Sequence, residues 1–191
     1  LLQGESLSGL VQEFPAMVWG YKKLKADLEE VKMDLKIDER DDLPAELPNP
    51  WGIRMPLDLD NKRCHYWVYS TCPNRGKTSL FLEPIHQKFR AIWKDQREPY
   101  WTIPASTEAI IFDEVMSGDF KAGDLNSICD GHKEFRVFQG GCIRLDHKPL
   151  VIVCSNYSIK TVFPFQHALV YSRFTEIDVT SYGNDESDEI N

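Results

Sequence analysis

The stretch from His65 to Lys94 constrains the fold of this chain most. HYWVYS (65–70) is a short aromatic and β-branched run with no alternation, the mark of a strand buried on both faces. TCPNRGKTS (71–79) follows as a Gly- and Pro-containing loop, and LFLEPIHQKFRAIWK (80–94) then reads as helix. Two further apolar runs, AIIFDEV (109–115) and PLVIVCSN (149–156), do not alternate either and end in acidic or polar residues. Residues 119–130 read as helix. Strand–loop–helix units of this kind predict an α/β fold, a mainly parallel central sheet flanked by helices. EFRVFQGGCIRL (134–145) alternates about Gly140-Gly141 and predicts a hairpin, and EPYWTI (98–103) a short strand.

The remainder divides by pattern and charge. Over residues 5–36, Leu10, Val11, Phe14, Met17, Val18, Tyr21, Leu24, Leu28, Val31 and Leu35 recur at helical spacing, with Pro15 marking where one helix gives way to a second. Asp38 to Pro56 has four prolines and no sustained period, so it reads as a linker at a domain boundary. The tail 181–191 is acidic and reads as disordered. The net charge of −8 argues at first sight against a nucleic-acid partner. It is unevenly spread, however: residues 61–160 hold 14 bases against 11 acids, so the acidity lies in the flanks.

Other classes are excluded or disfavoured. No apolar run has the roughly eighteen residues a membrane span needs. The opening LLQGESLSGL has no basic n-region, no cleavage site and no initiator Met, and reads as the start of a piece of a longer chain. Five scattered cysteines without a CxxC or zinc spacing read as free thiols of a reducing compartment.

Three segments carry chemistry. Thr71-Cys72-Pro73-Asn74-Arg75-Gly76-Lys77-Thr78, with Ser79 next, matches the phosphate-loop pattern GxxxxGK[ST], with Thr71 in place of the first glycine. Such a loop turns N–H groups on phosphates at the positive end of a helix, with Lys77 on the β- and γ-phosphates and Thr78 offering a hydroxyl to Mg²⁺. The bland alternative is a chance GKT in a surface turn. Asp113 and Glu114 close an apolar strand 36 residues beyond Lys77, where Asp113 can hold Mg²⁺ and Glu114 polarise an attacking water. Two acids there also suit an ordinary helix start. Asn156 ends a third strand and can hold a water or the γ-phosphate by a neutral hydrogen bond, or merely serve a turn. Trp51, Trp67 and Trp101 read as core aromatics rather than as platforms for stacking on a base.

In order and spacing these motifs resemble superfamily 3 helicases, which carry Walker A, Walker B, a B′ hairpin and motif C in succession. Within that superfamily, LNSICDGHKEFRVFQGGCIRLDHKPLVIVCSN (125–156) is similar to replication initiator (Rep) proteins of small circular single-stranded DNA viruses. The resemblance implies an AAA+-like P-loop ATPase over residues 46–180, preceded by a small helical oligomerisation domain over 1–45. It implies a homo-hexameric ring that hydrolyses ATP with Mg²⁺ and moves 3′-to-5′ on single-stranded DNA. ALVYSRFTEIDV (168–179) resembles the segment carrying the arginine finger, which gives that role to Arg173 acting on a neighbour's site. The hairpin resemblance implies DNA contacts from Lys133, Arg136, Gln139, Gly140, Gly141 and Arg144. Gln139 stands where the family usually has Lys, and the hairpin region is nearly neutral, so weak, salt-sensitive binding is expected. An upstream nicking endonuclease domain in the full-length chain is implied as well. So is a location in the host nucleus for a eukaryotic virus, or otherwise in the cytoplasm.

Alternatives remain open on the sequence: an RNA-virus superfamily 3 ATPase acting on RNA, or a nucleotide-gated assembly module that unwinds nothing. A small-molecule kinase is disfavoured, because no acceptor site or lid can be recognised.

Overall fold

Among the described residues seven strands arise where apolar, β-branched or alternating residues cluster: β1 (His65–Tyr69), β2 (Ala91–Trp93), β3 (Ala109–Val115), β4 (Glu134–Val137), β5 (Gly141–Arg144), β6 (Leu150–Ser155) and β7 (Phe174–Asp178). The computed structural model describes residues 44–95, 97–98, 101, 103–104, 106–137, 141–145 and 147–182. The helical segment within 1–45, the hairpin residues Gln139 and Gly140, and all but the first two residues of the acidic tail lie outside them. Five strands form one sheet in the order β2-β3-β6-β1-β7, and every neighbouring pair is parallel. β4 and β5 form a separate antiparallel ribbon. The expected α/β architecture with a mainly parallel sheet is therefore present.

Both sheet faces are buried, which is why the strands do not alternate. On one face Tyr66, Val68, Ile111, Ile152 and Cys154 pack with Phe81, Leu82, Ile85 and Phe89. Phe81, Leu82 and Ile85 come from a continuous helical stretch, a π-helical segment Lys77–Leu82 followed by α1 (Glu83–Lys88), and Phe89 is its extended C-cap. The other strand residues, including Trp67, Ile110, Phe112, Val151 and Val153, are equally buried and point the opposite way. Trp67 there meets Phe163 and Phe174 edge-on. Leu125 and Ile128 of α2 (Ala122–Cys129), Ile159 and Val162 of α3 (Ile159–Val162) and Val170 of α4 (His167–Tyr171) supply further buried apolar groups. Among the described residues no helix is long and apolar enough to cross a membrane.

Three expectations need correction. The helix expected over 80–94 stops at Lys88, where Phe89 turns extended and Ala91–Trp93 becomes the edge strand β2 beside β3. Residues 44–56, read as part of a linker, are an ordered strap. Leu47 and Met55 are buried in the core, joined by hydrogen bonds from Leu47 N–H to Met55 O (2.8 Å) and from Leu57 N–H to Ala45 O (2.9 Å). The described residues of 98–103 form no strand. Trp101 instead stacks on Phe135 with ring centroids 5.2 Å apart.

Candidate functional site

Adjacent strands whose connections depart in opposite directions leave a crevice at their carboxyl ends, the usual ligand position in open α/β sheets. Here β1 leads out to β2 on one side, and β6 leads back across β1 to β7 on the other. At that end lies a cleft of about 290 Å³ lined by Pro73–Ser79, Asp113, Glu114, Ser155 and Asn156. The loop after β1, the end of β3 and the end of β6 thus meet as the sequence pattern requires.

The loop's shape follows from two left-handed residues, Asn74 (φ 58) and Gly76 (φ 73). Asparagine tolerates that region better than most side chains, and glycine adopts it freely. A Cβ on Gly76 would also lie 2.8 Å from Leu80 Cδ1. Thr71 needs no positive φ, so the absent first glycine is compatible with this backbone. Thr71 and Cys72 do not line the cleft. The Thr71 N–H donates to Thr180 Oγ1 (3.2 Å), and the Cys72 N–H donates to Ser70 Oγ (3.1 Å).

The helical stretch begins directly at Lys77, with Gly76 as its N-cap and no side-chain hydrogen bond capping it. Its first-turn N–H groups lack intrahelical partners by geometry, and the helix dipole adds positive potential there. Its first six residues are π-helical, with the Glu83 N–H reaching back to Thr78 O, a rare form often found at functional sites.

Two side-chain contacts join the three motifs. Thr78 Oγ1 donates to Asp113 Oδ2 at 2.8 Å, and Lys77 Nζ donates to Asn156 Oδ1 at 3.2 Å. Asp113 and Glu114 are presented by a β-bulge, since the β3–β6 register runs Phe112↔Val153 and then Val115↔Ser155. One extra residue on β3 re-aims both carboxylates, as bulges beside active sites do. Glu114 takes φ 54, a strained value for a non-glycine residue, and its N–H donates to Asp113 Oδ1 at 2.9 Å. Ser155, which is buried, pins the bulge by donating from Oγ to Val115 O at 2.6 Å. Burial drives the thiol of neighbouring Cys154 far above its ordinary value, so it is an inert apolar filler.

Arg173 stands elsewhere. It precedes β7, whose Phe174 pairs with His65 at the start of β1, whereas the phosphate-type loop follows the end of β1. A five-residue strand separates the two by roughly 16 Å. Arg173 makes a bidentate pair with Asp130, from Nε to Oδ1 at 2.7 Å and from Nη2 to Oδ2 at 2.8 Å. Its hydrogen bonds hold the Asp130 carboxyl below its ordinary range.

The hairpin residues form a second group. Arg136 and Arg144 are exposed on one face of the ribbon with Cys142, while Phe135 and Ile143 pair on the other. Gly141 opens β5 rather than sitting in the turn. Lys133 pairs with Asp124 at 2.6 Å. Among the described residues no cluster of three or more His, Cys, Asp or Glu could hold a metal, so Thr78 and Asp113 are the oxygen donors to weigh.

Three residues outside the expected site set support the cleft: Ser155, Asn49, and Trp51, which the sequence presents as a core aromatic. The Ser-Asn pair ending β6 was a usable signal for Ser155. Trp51, expected in the core, is half-buried against Phe81, and its Nε1–H donates to Arg75 O at 3.0 Å. Compared with known proteins, the sequence matches no family model and none of the curated proteins.

Proposed function

We propose that this chain is a P-loop ATPase of AAA+-like type, the motor of a superfamily 3 helicase that couples ATP hydrolysis to movement on single-stranded DNA. One observation carries the reading: Thr78 on Asp113 and Lys77 on Asn156, which converge the phosphate loop, an acidic strand end and a polar strand end on one cleft.

In this reading the first-turn N–H groups and the Lys77 ammonium bind the β- and γ-phosphates. Asp113 holds the Thr78 hydroxyl in place. Glu114, on its strained bulge, takes a proton from the attacking water, and Asn156 orients that water or the γ-phosphate. Thr78 and Asp113 fit a Mg²⁺ ion, which needs only one or two protein oxygens beside phosphate and water and, when bound, neutralises charge on the transferred group. Arg173 cannot reach its own cleft. A role on a neighbour's phosphate requires it to exchange Asp130 for that phosphate, which suits a ring of copies. The ribbon, with Arg136 and Arg144 exposed, is the element offered to DNA.

A forked duplex with a 3′ single-stranded tail, incubated with the full chain, ATP and Mg²⁺, tests the motor. Strand separation that needs ATP is expected. Turnover without separation would favour the assembly-module reading, and separation of RNA but not DNA duplexes would favour the RNA-acting one.

A further inference from the structure

The strap that the sequence presented as linker does more than cover the core. Asn49 organises its tip: Oδ1 accepts from the N–H groups of Trp51 (3.2 Å) and Ile53 (3.0 Å), and Nδ2 donates to Ile53 O (2.7 Å). Gly52, at φ 64, permits the reversal. The turn is therefore fixed by its own side chain rather than by packing alone. It presents the Trp51 indole with its ring against Phe81 at 5.2 Å and its N–H on the carbonyl of Arg75.

That carbonyl belongs to the Arg75–Gly76 peptide unit. In a trans peptide the C=O and the N–H point in opposite directions. Holding the oxygen on Trp51 thus directs the Gly76 N–H away from the strap. Left-handed glycine loops rotate easily, and nothing about Gly76 itself selects one peptide orientation over its flip. The indole supplies that selection from outside the loop.

We infer that Trp51, held by Asn49, is a positioning residue that locks the Arg75–Gly76 peptide so that the Gly76 N–H faces the cleft and donates to a phosphate oxygen of the bound nucleotide. The inference rests on the nucleotide reading of the cleft and adds to it a residue outside all three motifs. Trp51 does not line the cleft, so it acts through the loop.

The test is ADP affinity of the full chain by calorimetry, with the urea midpoint measured alongside. Trp51→Phe keeps a ring against Phe81 and removes only the donor. The lock predicts about tenfold weaker ADP binding, the effect of losing one preorganised hydrogen bond. The urea midpoint should stay close to wild type. Trp51→Ala should lose similar affinity but also stability, so affinity and stability separate between the two variants. If Trp51→Phe does not fold, Asn49→Ala loosens the same turn and should lower affinity in the same direction. ADP affinity within twofold of wild type in whichever variant folds overturns the lock while leaving the nucleotide site intact. A wild-type chain that binds no ADP overturns both.

Discussion

His65 makes the sheet's stability depend on pH in a direction that can be calculated. Its imidazole is fully buried, and Nδ1 accepts the Val151 N–H at 3.0 Å, tying the start of β1 to β6. A protonated ring would present a donor to that donor. Burial chiefly, with the Lys148 charge second, lowers its value from 6.5 to about 3. Between those values the unfolded chain binds a proton that the folded chain does not, so stability rises with pH and is lost as pH falls below 6.5. From pH 7 to pH 5 the loss from this one group is about 2 kcal/mol, approaching about 1.4 kcal/mol per pH unit below that. Urea denaturation at pH 7, 6 and 5 measures it. His65→Asn keeps an acceptor near the Nδ1 position and cannot titrate, so its midpoint should start lower, from lost packing on Phe174, but vary far less with pH. Asp130 and Asp178 do not confuse this window. Hydrogen bonds from Arg173 hold Asp130 below 3.8; Asp178 stays below it too, burial being outweighed by bonds from Thr180 and Tyr69. An unchanged pH slope in His65→Asn would mean that His65 is not the group responsible.

Other consequences follow from single contacts. Gly76→Ala places a Cβ 3.1 Å from Leu80 Cβ at a φ of 73, which should cost about 1–2 kcal/mol in the urea midpoint and weaken ADP binding. Wild-type values for both would mean that the loop backbone is not as described. Asp130→Ala strips Arg173 of its bidentate partner. With both side chains partly exposed, a loss of about 1–2 kcal/mol is expected, well below that of a buried pair. If an intersubunit role also operates, this variant should reach half-maximal ATPase activity at lower protein concentration, whereas a purely structural pair would only destabilise.

Much of this architecture was legible in the sequence, and the exceptions have physical causes. β1, β3 and β6 announce themselves as unalternating apolar runs because both sheet faces are covered. The cleft residues could be placed because each stands at the end of such a run. β2 was hidden because Ile92 continues the three-and-four spacing of Ile85 and Phe89. Only pairing with β3 makes Ala91–Trp93 a strand. The strap was hidden because its order comes from Asn49 and from burial of Leu47 and Met55, neither of which leaves a period. The bulge at Asp113-Glu114 was invisible for a similar reason: it exists only as a register shift against β6. The Asp130–Arg173 pair joins residues 43 apart, and nothing local to either signals the other.

Phosphate release from ATP by the full chain with Mg²⁺ reports most directly whether the cleft hydrolyses a nucleoside triphosphate. Turnover by the wild type is expected. Lys77→Ala should abolish it with the urea midpoint preserved, and Glu114→Gln should bind ATP but release phosphate at least about a hundredfold more slowly. No release by the wild type, or equal release by Lys77→Ala, would contradict hydrolysis in this cleft.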